Sequence, residues 1–157
     1  MSGYIKLKSH FKTTLSRDVS DMILGAHIAT GATRMVYAHA TQSDAVVKLE
    51  NIANSFCNIY EEQVWYHVKD TEFAQWFAPV LRISPNGTVL VMRRTMPVSI
   101  NDLPKHVPAF FTDLKAENFG RMDGRIVCHD YGFHRFIERG MTKKMRLANW
   151  EAKETKA

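Results

Sequence analysis

The chain has 157 residues, of which 45% are hydrophobic and 24% are charged, and its formal net charge is +5 at pH 7. This is the composition of an ordinary globular protein and the length of one domain, which excludes a fibrous or disordered chain. A domain of this size buries roughly 70% of its unfolded surface, so neither disulfide bonds nor a structural metal is needed. The positive charge favours an anionic partner such as a nucleotide, a nucleic acid or an acidic protein.

The cysteines and the N-terminal segment favour a cytoplasmic protein. Cys57 and Cys128 are far apart and form no CxxC motif, which argues against a zinc site and against a disulfide scaffold. We predict that both are buried thiols. The polar N-terminal segment lacks the apolar run of a signal peptide, and no apolar stretch of roughly 18 residues occurs. We therefore predict no membrane association.

The first part of the chain combines two predicted hairpins with one predicted helix. Residues 35–38 and 45–49 are β-prone runs separated by a turn-forming TQSD segment. Residues 54–68 carry apolar and aromatic side chains at helical spacing. Residues 80–83 and 89–92 flank an SPNG turn, which predicts the second hairpin.

The last third of the chain is predicted to lack long helices. Three prolines between residues 97 and 108 argue against long helices there. A third hairpin is predicted, with MDG as its turn and residues 125–128 as its return strand. The charged residues 143–157 are predicted to form a surface helix or a loose tail.

Five short motifs occur along these elements in a fixed order. The glycine-containing segment GATRMVY and the segment VVK come first, at residues 31–37 and 46–48. The predicted helix then carries two adjacent glutamates. DLKAEN at residues 113–118 precedes the third hairpin, and DYG at residues 130–132 follows it. This order of motifs is far more specific than any one of them.

The motif order resembles that of the protein-kinase-like superfamily, and the chain is most similar to short bacteriophage proteins of that type. The similarity runs from about residue 24 to residue 132. It implies a single α+β domain with an antiparallel N-terminal sheet carrying one helix, and a strongly reduced C-terminal lobe. Residues 1–93 would form the N-lobe, residues 94–142 the reduced C-lobe and residues 143–157 a charged tail. A phage protein would act in the host cytoplasm.

The resemblance implies that a loop lies over the phosphates of ATP. Gly31 stands in the place of the second glycine of the kinase loop, and Ala32 and Thr33 follow it. Ala29 and Arg34 stand where the first and third glycines would be. The loop match is therefore partial, with Gly31, Ala32 and Thr33 as the candidate nucleotide-binding residues.

A lysine and a helix carboxylate complete the implied phosphate site. Lys48, at the end of VVK, would reach the α- and β-phosphates of ATP. Glu61 or Glu62 would pair with Lys48 and fix its position. We prefer Glu61, because Trp65 lies one turn beyond it and both could face the interior, while Glu62 remains the alternative.

The two acidic motifs imply the catalytic and metal-binding groups. In DLKAEN, Asp113 would orient the acceptor hydroxyl and Asn118 would bind a metal ion, with Lys115 as a further catalytic candidate. In DYG, Asp130 would chelate Mg²⁺ between the β- and γ-phosphates of ATP. ATP and Mg²⁺ are therefore the predicted cofactors.

Two departures from the family pattern leave two functions open. Phe111 and Thr112 replace the usual histidine and arginine before the catalytic aspartate, and only 25 residues follow Gly132. The chain could be a minimal ATP-dependent phosphotransferase, similar to a Ser/Thr protein kinase, or a pseudokinase-like module that inhibits or regulates a host protein. The candidate partners are thus ATP and a protein acceptor or host protein. Self-association remains open, and a nucleic-acid partner rests on charge alone.

Overall fold

The computed structural model of the chain describes residues 16–51, 55–134 and 136–151. In this part of the chain, the main sheet contains five strands: β1 (Leu24–Thr30), β2 (Arg34–His39), β3 (Ala45–Glu50), β4 (Val80–Ile83) and β5 (Val89–Arg93). They pair antiparallel in the order β1-β2-β3-β5-β4. The protein is thus of mixed α+β class with an antiparallel N-terminal sheet, and both predicted hairpins in this region are confirmed.

Strand β3 lies at the centre of the sheet because β2 and β5 pair with its two edges. Lys48 stands opposite Val36 on β2 and opposite Leu90 on β5. Ala45 and Val47 are completely buried. The β-branched residues of this strand suit such a fully paired, buried position, so Lys48 is fixed on the most constrained strand of the sheet.

The helices are short and lie outside this sheet. Helix α1 covers residues 16–23 and leads directly into β1. Helix α2 (Cys57–Val68) confirms the helix predicted at residues 54–68 but begins later, because residues 55 and 56 are not helical and residue 54 lies outside the described residues. Helix α3 (Phe136–Arg139) is a single turn. None of the helices in the described part of the chain has the length and apolarity to cross a bilayer.

Asn58 joins α2 to the main sheet at the start of the helix. The carboxylate of Glu50 accepts the Asn58 backbone N–H at 2.8 Å, which satisfies a donor that the helix leaves unpaired. The Asn58 side-chain amide lies 3.2 Å from the Lys48 carbonyl oxygen and 2.9 Å from that of Gly87. These contacts position the helix over β3 and the β4–β5 turn.

The remaining strands form two small ribbons. Strand β7 (Phe119–Met122) pairs with β8 (Arg125–Cys128) as the predicted third hairpin. Asp123 and Gly124 in its turn have φ values of 49° and 77°, which two-residue hairpin turns of the I′ type require. Strand β6 (His106–Pro108) pairs with β9 (Met145–Leu147).

Strand β9 corrects the prediction of a surface helix or loose tail at residues 143–157. Its backbone pairs with β6, and the Arg146 guanidinium donates to the Phe111 carbonyl oxygen at 2.6 Å. The Trp150 indole N–H donates to the Pro104 carbonyl oxygen at 2.9 Å, and its ring packs edge-on against Phe119. The described part of this segment is therefore packed, whereas residues 152–157 lie outside the described residues.

The apolar core connects the sheet region with the second half of the chain. Phe77 packs edge-on against Tyr131 at 5.1 Å between ring centroids, and Phe111 packs against Phe77 at 5.4 Å. Phe111 and Tyr131 are both fully buried. Cys57 and Cys128 are free and buried, as predicted. Aromatic packing thus holds the DLKAEN and DYG segments against the rest of the molecule.

Candidate functional site

Lys48 forms the centre of a buried group of charges. Its side chain is only 4% exposed, and its ammonium nitrogen lies 3.0 and 2.9 Å from the two carboxylate oxygens of Glu61. It also donates to the backbone carbonyl oxygen of His129. Burial lowers the pKa of Lys48, and the charge of Glu61 opposes that change. The predicted pairing with Glu61 is confirmed, whereas Glu62 lies on a more exposed part of the helix surface.

Glu61 accepts hydrogen bonds from three parts of the chain. Besides Lys48, the Arg34 guanidinium contacts both of its oxygens, at 2.7 and 3.0 Å. The backbone N–H of Tyr131 donates to Oε1 at 2.9 Å. Burial alone would raise the pKa of Glu61, but the charges and hydrogen bonds of Arg34 and Lys48 lower it to about 2. Glu61 is therefore ionised at neutral pH.

Arg34 is the site residue that the sequence interpretation missed. It was noted only as a departure from the glycine pattern, yet it is 5% exposed and links Glu61 to the carboxylate of Asp130. Burial would lower the pKa of Arg34, but the charges of Glu61 and Asp130 raise it above its usual value. One sequence signal could have identified Arg34. It is a charged residue in place of a loop glycine, at the start of an apolar strand.

The DYG segment brings Asp130 to the edge of this charged group. Asp130 accepts from Arg34, and its side chain is 45% exposed, so it forms the solvent-facing end of the group. The Tyr131 hydroxyl donates to the Ala78 carbonyl oxygen at 2.8 Å. A Cβ atom on Gly132 would lie 3.1 Å from the Cβ and carbonyl oxygen of Cys57. Glycine therefore allows the DYG segment to lie close to the start of α2.

Asp113 and Asn118 lie next to the same segment. The Asn118 side-chain amide donates to Oδ2 of Asp113 at 3.1 Å, and the Lys115 ammonium lies 3.8 Å from Oδ1. The Asn118 carbonyl oxygen accepts the backbone N–H of His129 at 2.9 Å and that of Asp130 at 3.4 Å. The two acidic motifs are thus joined through Asn118.

The turn that contains Gly31, Ala32 and Thr33 contacts the site through its last residue and through Arg34. The Gly31 N–H donates to the Arg34 carbonyl oxygen at 2.8 Å, which closes the turn. The Thr33 hydroxyl lies 3.5 Å from the Cys57 thiol at the start of α2. Gly31 and Ala32 are exposed. Of the three predicted loop residues, Thr33 is therefore the one in contact with α2.

His129 is held between the two halves of the site as a neutral ring. Its Nε2–H donates to the Glu117 carbonyl oxygen at 2.9 Å, so Nδ1 accepts from the Thr95 hydroxyl at 2.7 Å. Burial, assisted by the positive charge of Lys48, lowers the pKa of His129 to about 4. Because the ring is neutral, it adds no further cation beside Lys48. The Lys48 ammonium donates to the backbone carbonyl oxygen of His129.

Arg34 occupies part of the Asp130 carboxylate, to which the resemblance assigns a magnesium ion. Lys48 and Arg34 provide two positive charges in this group, and Glu61 and Asp130 provide two negative charges. Mg²⁺ needs oxygen ligands at about 2.1 Å, but Arg34 already binds Oδ1 of Asp130. A metal ion on that oxygen does not fit beside the guanidinium.

No protein-family model matches the chain, and no curated protein matches it. The interpretation of the site therefore depends on its residues and their geometry. The strongest elements are the buried Lys48–Glu61 pair and the junction of the two acidic motifs at Asn118.

We expect Glu61→Gln to destabilise the fold by about 3–5 kcal/mol, because it leaves two buried cations without their shared carboxylate. The matched control is Glu62→Gln, which should change the free energy of unfolding by no more than about 0.5 kcal/mol. Urea unfolding at pH 7 measures both effects. Equal stability of the two variants would contradict the burial and pairing described for Glu61.

The lowered pKa of His129 also predicts a pH effect on stability. The unfolded chain binds a proton near pH 6.5 and the folded chain only near pH 4. The contribution of His129 is therefore complete above pH 6.5 and is lost as the pH falls towards 4. We expect His129→Asn to reduce the slope of unfolding free energy against pH between pH 6.5 and 5. The exposed control His67→Asn should retain the slope of the parent chain, and an unchanged slope in His129→Asn would refute the assignment.

Proposed function

We propose that the chain is a minimal ATP-dependent phosphotransferase with a protein-kinase-like fold, acting on a hydroxyl group of a protein acceptor. The observation that carries the proposal is the buried Lys48–Glu61 pair adjoining Asp130. Asn118, whose amide donates to Asp113, also accepts the backbone N–H groups of His129 and Asp130. Few other functions need a fixed lysine, a helix carboxylate and these two acidic segments at one junction.

Lys48 would bind the α- and β-phosphates of ATP through the N–H that it donates to the His129 carbonyl oxygen in the absence of ligand. Glu61 holds the ammonium through both carboxylate oxygens, which restricts the lysine to one orientation before any ligand arrives. A preorganised cation loses less conformational entropy on binding than a mobile one. The half-exposed Asp130 carboxylate marks the open side of the charged group, where the γ-phosphate would lie.

Asp113 would act on the acceptor. Its carboxylate is oriented by the Asn118 amide and would accept the proton of the acceptor hydroxyl as that oxygen attacks the γ-phosphorus. The bond from the γ-phosphorus to the bridging oxygen then breaks, and ADP leaves. The half-exposed Lys115 ammonium beside Asp113 would stabilise the charge on the transferred group.

A second candidate is a pseudokinase-like module that binds a nucleotide or a host protein without phosphoryl transfer. The Arg34–Asp130 ion pair favours this function, because it occupies the carboxylate to which the kinase resemblance assigns a metal ion. Phe111 also packs in the core, where the resembling proteins have a histidine. Measurements of ATP binding and of phosphate transfer separate the two candidates.

We expect ATP to stabilise the parent chain by about 2.7 kcal/mol at a hundred times its dissociation constant. Lys48→Met should abolish this stabilisation, because the cation opposite the phosphates is lost. The exposed control Lys105→Met should respond like the parent chain. Thermal unfolding with and without ATP, in buffer containing Mg²⁺, is the measurement. A parent chain that shows no shift at millimolar ATP would refute the nucleotide site.

We expect Asp113→Asn to lower phosphate transfer by about 10²–10⁴-fold, the usual contribution of a positioned general base, with little change in ATP affinity. The exposed Asp70→Asn serves as the control and should transfer phosphate like the parent chain. Transfer is followed with γ-labelled ATP, with and without cell extract. If the biological effect of the protein survives Asp113→Asn, the binding-module candidate replaces the phosphotransferase.

A further inference from the structure

Arg34 has a fixed position between the sheet and the DYG segment. It begins β2, directly after the turn that contains Gly31 and Thr33. Nη1 of its guanidinium contacts Glu61 Oε2 at 2.7 Å and Asn58 Oδ1 at 3.4 Å. Nη2 contacts Glu61 Oε1 at 3.0 Å and also binds Asp130. Two carboxylates and one amide oxygen therefore set the orientation of one buried cation.

The charges around Arg34 balance without an added ion. Arg34 and Lys48 carry two positive charges, and Glu61 and Asp130 carry two negative charges. In the absence of nucleotide, adding a divalent cation at Asp130 would leave an excess of positive charge beside the buried Arg34. Like charges at such short separations repel one another even at a partly exposed position. Electrostatics therefore disfavours the simultaneous presence of the guanidinium and a metal ion at this carboxylate.

The backbone of the DYG segment also fits around the guanidinium. A Cβ atom on Gly132 would lie 3.4 Å from Nη2 of Arg34 and 3.1 Å from Cys57. Glycine thus lets the segment pass close to both groups. The backbone fit and the charge balance are independent observations. Both indicate that the guanidinium is an integral part of the site.

We propose that Arg34 neutralises Asp130 in place of a divalent metal ion, so that the chain binds ATP without requiring Mg²⁺. Arg34 acts through Asp130 and is therefore a positioning residue. Unneutralised, the Asp130 carboxylate would repel the phosphates of ATP, and a bridging metal would be needed to remove that repulsion. A guanidinium carries a permanent charge and suits planar pairing with carboxylates. This inference rests on the nucleotide binding proposed above.

The test compares the dissociation constant of ATP in Mg²⁺ buffer and in EDTA by calorimetry. For the parent chain we expect the two values to agree within about threefold, a difference below 1 kcal/mol. Arg34→Gln should bind ATP at least about tenfold more weakly in EDTA than in Mg²⁺. Arg34→Lys keeps the charge but not the forked pairing and should give an intermediate ratio, and the exposed Arg82→Gln should behave like the parent chain.

Failure of the role of Arg34 and failure of the proposed function would give different results. A parent chain that binds ATP only with Mg²⁺, in the same ratio as Arg34→Gln, overturns the role of Arg34 but leaves the proposed function standing. A parent chain that binds ATP in neither buffer overturns the proposed function, and binding of Mn²⁺ alone then decides the role of Arg34.

Water-proton relaxation measures Mn²⁺ binding without nucleotide, and its first comparison needs no Arg34 variant. The inference expects the parent chain and Asp130→Asn to bind Mn²⁺ equally weakly, because Arg34 already holds Asp130. Circular dichroism shows whether Arg34→Gln folds. If it does, it should gain a Mn²⁺ site, and the added substitution Asp130→Asn should remove that site. Stronger Mn²⁺ binding by the parent chain than by Asp130→Asn would overturn the inference.

Discussion

The carboxylate of Glu61 is the group on which the arrangement of the site depends. It lies on α2, has no exposure to solvent, and binds Lys48 from β3, Arg34 from β2 and the Tyr131 N–H from the DYG segment. A buried carboxylate is tolerated only when charges and hydrogen bonds compensate for its lost hydration. Each of these contacts therefore has to form together with the others. One side chain thereby determines the relative positions of two strands, one helix and the segment that carries Asp130.

Aromatic packing also stabilises this arrangement. Tyr131 follows Asp130 in the chain and is fully buried against Phe77, with its hydroxyl bound to the Ala78 carbonyl oxygen. Phe111 lies in the same cluster, two residues before Asp113. The two acidic segments are thus anchored by apolar side chains placed next to their functional residues. The β6–β9 ribbon and Trp150 also cover this region.

Sequence patterns predicted the elements whose signals are local. The strands β2 to β5, helix α2 and the turn at Asp123 and Gly124 have clear periodicity or turn residues. The position of Trp65 one turn beyond Glu61 also favoured Glu61 over Glu62 as the partner of Lys48. Strand β1 was not placed, because its sequence LGAHIAT contains few strongly β-prone residues. Strand β9 was missed because three residues carry no pattern, and its partner lies almost forty residues earlier in the chain.

Arg34 escaped sequence interpretation for a different reason, since its role comes from residues 24, 27 and 96 positions further along the chain. No local pattern shows that β2, α2 and the DYG segment converge on one guanidinium. Once they do, the four charges compensate one another, and the site is organised before a ligand binds. Preorganisation lowers the entropic cost of binding. It also concentrates any adaptation to ligand at the half-exposed side chains of Asp113, Lys115 and Asp130, where movement leaves no buried charge unpaired.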